Sequence, residues 1–512
     1  MSSANLYTRL SAGFVAAAPF IRASGVHDAS YDALHRRSAQ WAHALRALGV
    51  QPGDRVAAQI DKSLEGIALY LGTLRAGAAF LPLNTAYTGA EMDYFAGDAE
   101  PRVLVCSPDK AAALAAVAAA HAGTQLRTLG ADGRSGDLLP LVDAQATQFA
   151  DVPRAGSDLA AILYTSGTTG RSKGAMLTHD NLRSNAEVLR TAWRYGSGDV
   201  LLHALPIFHI HGLFVAINLT LAAGASLQLL PRFDADAVFA ALPGCNVMMG
   251  VPTFYVRLLQ DARLTTAATR HVRLFVSGSA PLLADTHREW RQRTGHAILE
   301  RYGMTETGMN ASNPYAGERV AGTVGPPLPG VEIRIAAADG GAPPAPGEVG
   351  MIEVRGANVF AGYWRNPEKT RAEFRADGFF ITGDLGRFDE RGYLHIVGRG
   401  KDLIISGGYN VYPKEVEQEI DALPGVAESA VVGLPHRDFG EGVTAAVVLR
   451  SGAELTEDAI LARLRTRLAA YKCPKRVLFV ADLPRNTMGK VQKNLLRDQY
   501  INLYPDKERA PT

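Results

Sequence analysis

Three features of the 512-residue chain predict an α/β fold, with a large N-terminal domain of layered α/β subdomains. Segments of helical period alternate with short apolar runs through the first part of the chain, the pattern of parallel sheets covered by helices. After Gly317 turn residues multiply between short alternating strands such as 331–335 and 351–355, which predicts a small β-barrel-like subdomain. A polar, glycine-flanked stretch at 398–402 then precedes strand, helix and strand patterns, enough for a small C-terminal α+β domain. The expected division is 1–398, a hinge at 399–402, and 403–512.

The elements follow in order. Residues 10–21 are short and contain Pro19, so they read as an opening amphipathic helix rather than a signal peptide. Residues 29–48 carry Leu34, Trp41, Leu45 and Leu48 on one helical face, and Gly49 with the 51–54 turn ends the helix. A strand at 55–60, a helix at 63–76 and an apolar strand at 78–83 come next. The Ala-rich stretch 111–120 suits a plain helix. Residues 159–164 and 273–276 have the composition of buried strands, and 389–392 that of a hairpin turn. Between Val200 and Pro231 there is no Asp, Glu, Lys or Arg. That stretch also holds His203, Pro206, His209, His211, Gly212 and Asn218, which suits buried strand and helix of a large core better than a membrane span.

Composition narrows the function. Lys and Arg number 53 and Asp and Glu 51, a net charge of +2, which gives no electrostatic reason to expect nucleic acid or an anionic membrane. Hydrophobic residues make up 47% and charged residues 20%, so the chain is expected to fold as globular domains. Cys106, Cys245 and Cys473 lie far apart, with neither disulfide nor zinc spacing, and point to a reducing, cytoplasmic setting.

The most informative segment is YTSGTTGRSKG at 164–174. Three glycines let a backbone curl and gather its N–H groups, while hydroxyls and two cations surround one small volume. This chemistry suits a polyphosphate. It is not a Walker A loop, because no Gly-Lys-Ser/Thr closes it.

The segment resembles the phosphate loop of the adenylate-forming superfamily, which contains acyl-CoA synthetases, luciferases and peptide-synthetase adenylation domains. Four further motifs of that superfamily occur in the same order: YGMTE at 302–306, ITGDLG at 381–386, GRGKDLIISGGYNVYP at 398–413 and PRNTMGK at 484–490. The resemblance spans essentially the whole chain. It implies the adenylate-forming fold with a mobile C-terminal domain, and a two-step reaction using ATP, magnesium (Mg2+) and coenzyme A as co-substrate. Ser166, Gly167, Thr168, Thr169, Gly170 and Lys173 would hold the phosphates. Thr165 and Glu306 would place magnesium, a hard cation satisfied by few protein oxygens. Tyr302, Glu300 and Thr305 would line the nucleotide, with Gly278, Ser279 and Ala280 as a floor of small residues. Asp384 would accept from the ribose diol and Arg399 reach ribose and phosphate. Lys490 is the expected catalytic lysine of adenylation. Lys401 matches the hinge about which Lys490 would exchange with the Gly407, Gly408 and Tyr409 loop, the expected path of the coenzyme A thiol.

Substrate choice rests on the segments 203–214, 250–259, 277–290 and 300–307, which resemble those of the bacterial malonyl-CoA synthetases. Arg257 and Arg301, with Ser279, suit a second carboxylate, so malonate or a similar short dicarboxylate is expected. A methyl branch changes binding modestly, so methylmalonate fits the same expectation. His209 is expected beside the carboxylate being activated. His209 and His211 have no apparent third ligand for zinc. The alternatives are a synthetase for another short acid, an adenylation enzyme loading a carrier protein, and a non-catalytic nucleotide-binding protein. Acetylation would remove the charge of Lys490, so a lysine acetyltransferase is an expected partner.

Overall fold

In a computed structural model of the chain, residues 3–22, 28–165, 172–337, 342–407, 409–486 and 489–504 are described. They form four sheets. The largest runs, from edge to edge, Gly308–Ser312, Leu299–Met304, Leu274–Ser277, Val247–Gly250, Val200–His203, Ser226–Leu229, Pro19–Ile21 and Ala29–Ser30. Its inner strands are parallel and its two outermost pairs antiparallel. The second sheet runs Gln125–Thr128, Val103–Cys106, Arg55–Gln59, Ala79–Pro82, Leu159–Thr165 and Lys173–Thr178, with only the last pair antiparallel. Parallel strands feeding helices account for this layering.

Helix Tyr31–Ala47 starts where Ser30 accepts from Ala33 N and buries Leu34, Trp41 and Leu45, as its period predicts. Helix Leu64–Arg75, capped by Ser63, is buried from Gly66 to its end. The two helices pack closely at Gly72, where a Cβ would stand 2.5 Å from Cβ of Trp41. Strands at Arg55–Gln59 and Ala79–Pro82 and the helix Ala111–Ala120 also fall where the sequence predicts them. Residues 10–21 do not form the expected helix. The helix is Leu6–Ser11, which takes in only the first two of them, and Pro19–Ile21 joins the large sheet as a strand. Pro19 cannot donate within a helix, and at the start of a short strand it has no need to.

The charge-free stretch is folded into the core. It forms the strand Val200–His203, a π-helical turn His211–Ile217, the helix Asn218–Ala223 and the strand Ser226–Leu229. No helix among the described residues is long and apolar enough to cross a membrane.

After residue 330 comes an antiparallel meander of Val331–Ala336, Gly350–Gly356, Phe380–Phe388 and Leu394–Arg399, whose first and last strands do not pair, so the expected barrel-like subdomain is an open four-stranded sheet. Beyond the turn Gly400–Asp402, strands Tyr409–Val411, Ile404–Ser406, Gly440–Leu449, Val426–His436 and Arg476–Phe479 form the last sheet. Helix Pro413–Asp421 covers it, and Val416, Ile420, Val431, Val443 and Ile460 share a core of their own.

Candidate active site

The parallel strands Val200–His203, Val247–Gly250, Leu274–Ser277 and Leu299–Met304 are neighbours, and the chain leaves their carboxyl ends into the motifs singled out above. Ligand sites of open α/β sheets form at such ends.

One group of residues has the chemistry of a nucleotide site. Antiparallel pairing sets Asp384 opposite Arg399, and their side chains form an ion pair at 2.7 Å. Tyr302 donates its hydroxyl to the other oxygen of Asp384 at 2.6 Å. The Asp384 carboxylate keeps the Arg399 pKa raised. Thr165 ends the strand Leu159–Thr165 and pairs with Lys173 across the loop between them. Ser166, Gly167, Thr168, Thr169 and Gly170 lie outside the described residues, as does Gly408.

Glu306 is buried, and burial raises its pKa. The Tyr363 hydroxyl lies 3.2 Å from Glu306 and 2.6 Å from Glu373. Its one proton can serve only one of those carboxylates at a time. Lys173 pairs with Glu373 at 3.7 Å and sits 5.0 Å from the Tyr363 ring centre. A buried carboxylate, with the hydroxyl of Thr165 at the end of strand Leu159–Thr165, has the oxygen chemistry that suits magnesium shared with phosphate and water. No cluster of three or more His, Cys, Asp or Glu able to hold a metal alone occurs among the described residues. Glu300 is buried 3.6 Å from His287 and its pKa is pushed up to about 8 by burial. Thr305 is half-buried in the turn beyond Leu299–Met304.

A second group surrounds Arg301. This arginine is 4% exposed, and its Nε and Nη2 have no hydrogen-bond partner among the described residues. Burial lowers its pKa to about 9. An unpaired buried cation is costly and calls for an anion from outside the chain. Gly278 makes room for it: a Cβ there would stand 2.3 Å from the guanidinium carbon. Ser279 follows with φ of 71°, an uncommon angle for a residue with a side chain, and its hydroxyl lies 3.2 Å from Nδ1 of His211. His211 is fully buried and its Nε2 has no partner among the described residues. Burial, and then Arg301, pushes its pKa down, so it is neutral near pH 7. His209 is likewise held down to about 3 by burial, Arg301 and Lys490. Gly278 and Ser279, expected as a nucleotide floor, thus touch the Arg301 group, and Ala280 is half-buried next to them.

The structure does not bring Arg257 into this group. It is exposed on helix Pro252–Leu259, two residues beyond Tyr255, whose ring lies within the electrostatic reach of Arg301. The amino end of that helix meets the C-terminal unit, since a Cβ on Gly489 would stand 3.1 Å from the Thr253 hydroxyl.

Lys490 is exposed and lies within electrostatic reach of Asp384 and Arg399 on one side and His209 on the other. Desolvation and then Arg399 hold its pKa down to about 8. Its hairpin is held by Asn486, which receives Lys490 N at 3.0 Å, and by Arg485, which donates to the Gly489 carbonyl at 2.6 Å. Arg485 is itself paired with Glu428. Lys401 is exposed in the turn before the last sheet, where Asp402 pairs with Arg497 at 2.9 Å. Gly407 and Tyr409 are exposed, and Tyr409 stacks on Tyr471 with ring centres 4.7 Å apart.

Sequence reasoning missed the Ser279–His211 contact and the bracing of Glu306 by Tyr363. Tyr363 stands in GYW at 362–364, a segment with no charge or glycine pattern to mark it.

Comparison with known proteins identifies the family. Residues 14–364 match the AMP-binding enzyme family, and residues 415–490 match the AMP-binding enzyme C-terminal domain. A malonate–CoA ligase of Arabidopsis thaliana is 36% identical over 486 residues, covering 89% of this chain and 79% of the relative. A feruloyl-CoA synthase of an Amycolatopsis species is 39% identical over 476 residues, covering 92% and 94%. Among solved structures, ATP-bound MatB from Rhodopseudomonas palustris is 58% identical with a TM-score of 0.96, covering 98% of this chain and all of that one. The apo form of MatB, at the same identity and coverage, has a TM-score of 0.85, so the chain superposes better on the nucleotide-bound arrangement. The chain belongs to the AMP-binding enzyme family.

Proposed function

We propose, from that membership and from the Arg301 group, that the protein is a malonyl-CoA synthetase. A malonate carboxylate attacks the α-phosphorus of ATP, and pyrophosphate leaves. The thiol of coenzyme A then attacks the acyl carbon of malonyl-adenylate, its proton is lost, and AMP leaves with the P–O bond intact. The observation that carries the substrate is the buried guanidinium of Arg301, whose Nε and Nη2 have no partner among the described residues, beside two neutral histidines. A dicarboxylate supplies the missing anion through its second carboxylate, which a monocarboxylate cannot do. The likeness to a malonate–CoA ligase and to MatB supports the same reading.

In this reading Asp384 and Arg399 hold the ribose, Tyr302, Glu300 and Thr305 line the base, and Lys173 and residues 166–170 hold the phosphates. Thr165 and Glu306 hold magnesium, which offsets the polyphosphate charge. His209 orients the carboxylate that attacks, and Arg257, exposed on the helix Pro252–Leu259, is given no part in holding it. Lys490 neutralises carboxylate and α-phosphate as they approach. The division at 399–402 lets 403–512 turn about Lys401, withdrawing Lys490 and presenting Gly407, Gly408 and Tyr409 to the thiol. Acetylation of Lys490 would remove the adenylating cation; full activity after complete acetylation would end that part of the proposal. Three buried free cysteines suit a cytoplasmic setting.

The test is thioester formation from ATP, magnesium and coenzyme A with malonate, methylmalonate, succinate, acetate and propionate. A kcat/KM highest for malonate supports the proposal. A preference for acetate or propionate retains the adenylate chemistry and removes the role given to Arg301.

A further inference from the structure

The segment that carries His209 and His211 is tied down from below by a buried lysine. Lys62 Nζ lies 3.0 Å from the carbonyl oxygen of His203, 2.8 Å from that of Leu205 and 3.3 Å from Nδ1 of the His203 ring. The other ring nitrogen, Nε2, lies 2.9 Å from the carbonyl oxygen of Gly212. A carbonyl only accepts, so Nε2 carries the ring hydrogen and Nδ1 accepts from Lys62. Three acceptors thus meet the three hydrogens of one ammonium. His203, held by Lys62, in turn closes residues 204–211 into a loop by binding Gly212. The closure is tight: a Cβ on Gly212 would stand 2.0 Å from the Pro206 carbonyl oxygen.

This arrangement is expensive. Lys62 is buried, and burial pushes its pKa well down. A methionine would fill the same space with no charge to desolvate. The cost is explained if the loop needs fixed tie points that apolar packing does not supply.

We propose that Lys62 is a positioning residue for substrate choice: through His203 it fixes the 204–211 loop, and so the placement of His209 and His211 against Arg301 and the dicarboxylate. This rests on the malonate reading of the Arg301 group, but the clamp can be examined separately. Lys62→Met removes all three hydrogen bonds. His203→Gln keeps a donor for Gly212 and removes the ring acceptor. In both variants the kcat/KM ratio of malonate to propionate is expected to fall about tenfold or more, the scale of one buried hydrogen bond lost. The KM for ATP should stay within about twofold, because the Asp384 and Arg399 group is untouched. Amide hydrogen exchange across 204–212 should quicken in the ligand-free variants. A lysine serving stability alone would lower the melting temperature and leave the malonate-to-propionate ratio unchanged, and that result would overturn the proposal. Should Lys62→Met fail to fold, an unchanged ratio in His203→Gln would overturn it equally. A wild-type enzyme that prefers propionate, with loop exchange still dependent on Lys62, would remove the malonate reading and leave the clamp.

Discussion

Arg301 occupies the space that Gly278 leaves open, since a Cβ at position 278 would stand 2.3 Å from the guanidinium carbon. One residue supplies the charge and the other the room for it. Gly278→Ala should therefore force the guanidinium aside. Loss of a charge-assisted contact to the bound carboxylate predicts a fall of about tenfold to a hundredfold in kcat/KM for malonate. Nucleotide affinity should be nearly unchanged. Steady-state kinetics with calorimetric titration of ATP checks both halves.

The pH dependence of adenylation should carry the mark of Lys490. Its pKa is lowered to about 8 by desolvation, with Arg399 next in effect. The cation is present below that pH and lost above it. Pyrophosphate exchange with malonate should therefore decline as pH rises through about 8. Lys490→Arg stays charged, so any activity it retains should lack this alkaline limb. An alkaline limb that persists in Lys490→Arg would assign the titration elsewhere.

A separation of the two half-reactions is expected at the hinge. Here Lys490 lies near Asp384 and Arg399 while Gly407 and Tyr409 are exposed, an arrangement suited to adenylation. Lys401→Pro stiffens the turn Gly400–Asp402. Most of the thioester-forming rate should be lost and most of the adenylation rate kept, measured as coenzyme A consumption against pyrophosphate exchange. Equal losses in both would mean that the turn does not govern the exchange of faces.

Stability has a clear test at the central helix crossing. Gly72 lets helix Leu64–Arg75 approach Trp41 so closely that a Cβ would stand 2.5 Å from Cβ of Trp41. Gly72→Ala gains helix propensity but overpacks a rigid contact. The net expectation is a destabilisation of about 1–3 kcal/mol, read as a lower melting temperature. A higher melting temperature would show that the helices can separate at little cost.

Much of this architecture was legible in the chain because its signals are local. Leu34, Trp41 and Leu45 mark a helical face, and the short apolar runs of 55–60 and 78–83 mark buried strands without reference to distant residues. Arg301 was legible because a cation stands immediately before the YGMTE motif that opens at Tyr302. Residues 10–21 misled because an apolar stretch of that length suits either a helix or a strand, and the large sheet decided between them. Gly278 gave no local sign of its partner, since small residues suit a nucleotide floor as well as an arginine cradle. The contact of Ser279 with His211 and the hold of Lys62 on His203 join residues 68 and 141 positions apart, beyond the reach of any periodicity. Arg257 shows the opposite limit: its motif suggested a pocket, but helical geometry leaves its side chain exposed.

The measurement that tests the central claim most directly is the malonate-to-propionate ratio of kcat/KM in the wild-type enzyme and in Arg301→Gly. If the buried guanidinium receives the second carboxylate, the wild type prefers malonate strongly, and the variant loses that preference through malonate while still binding ATP. An Arg301→Gly enzyme that turns over malonate as the wild type does would contradict the account.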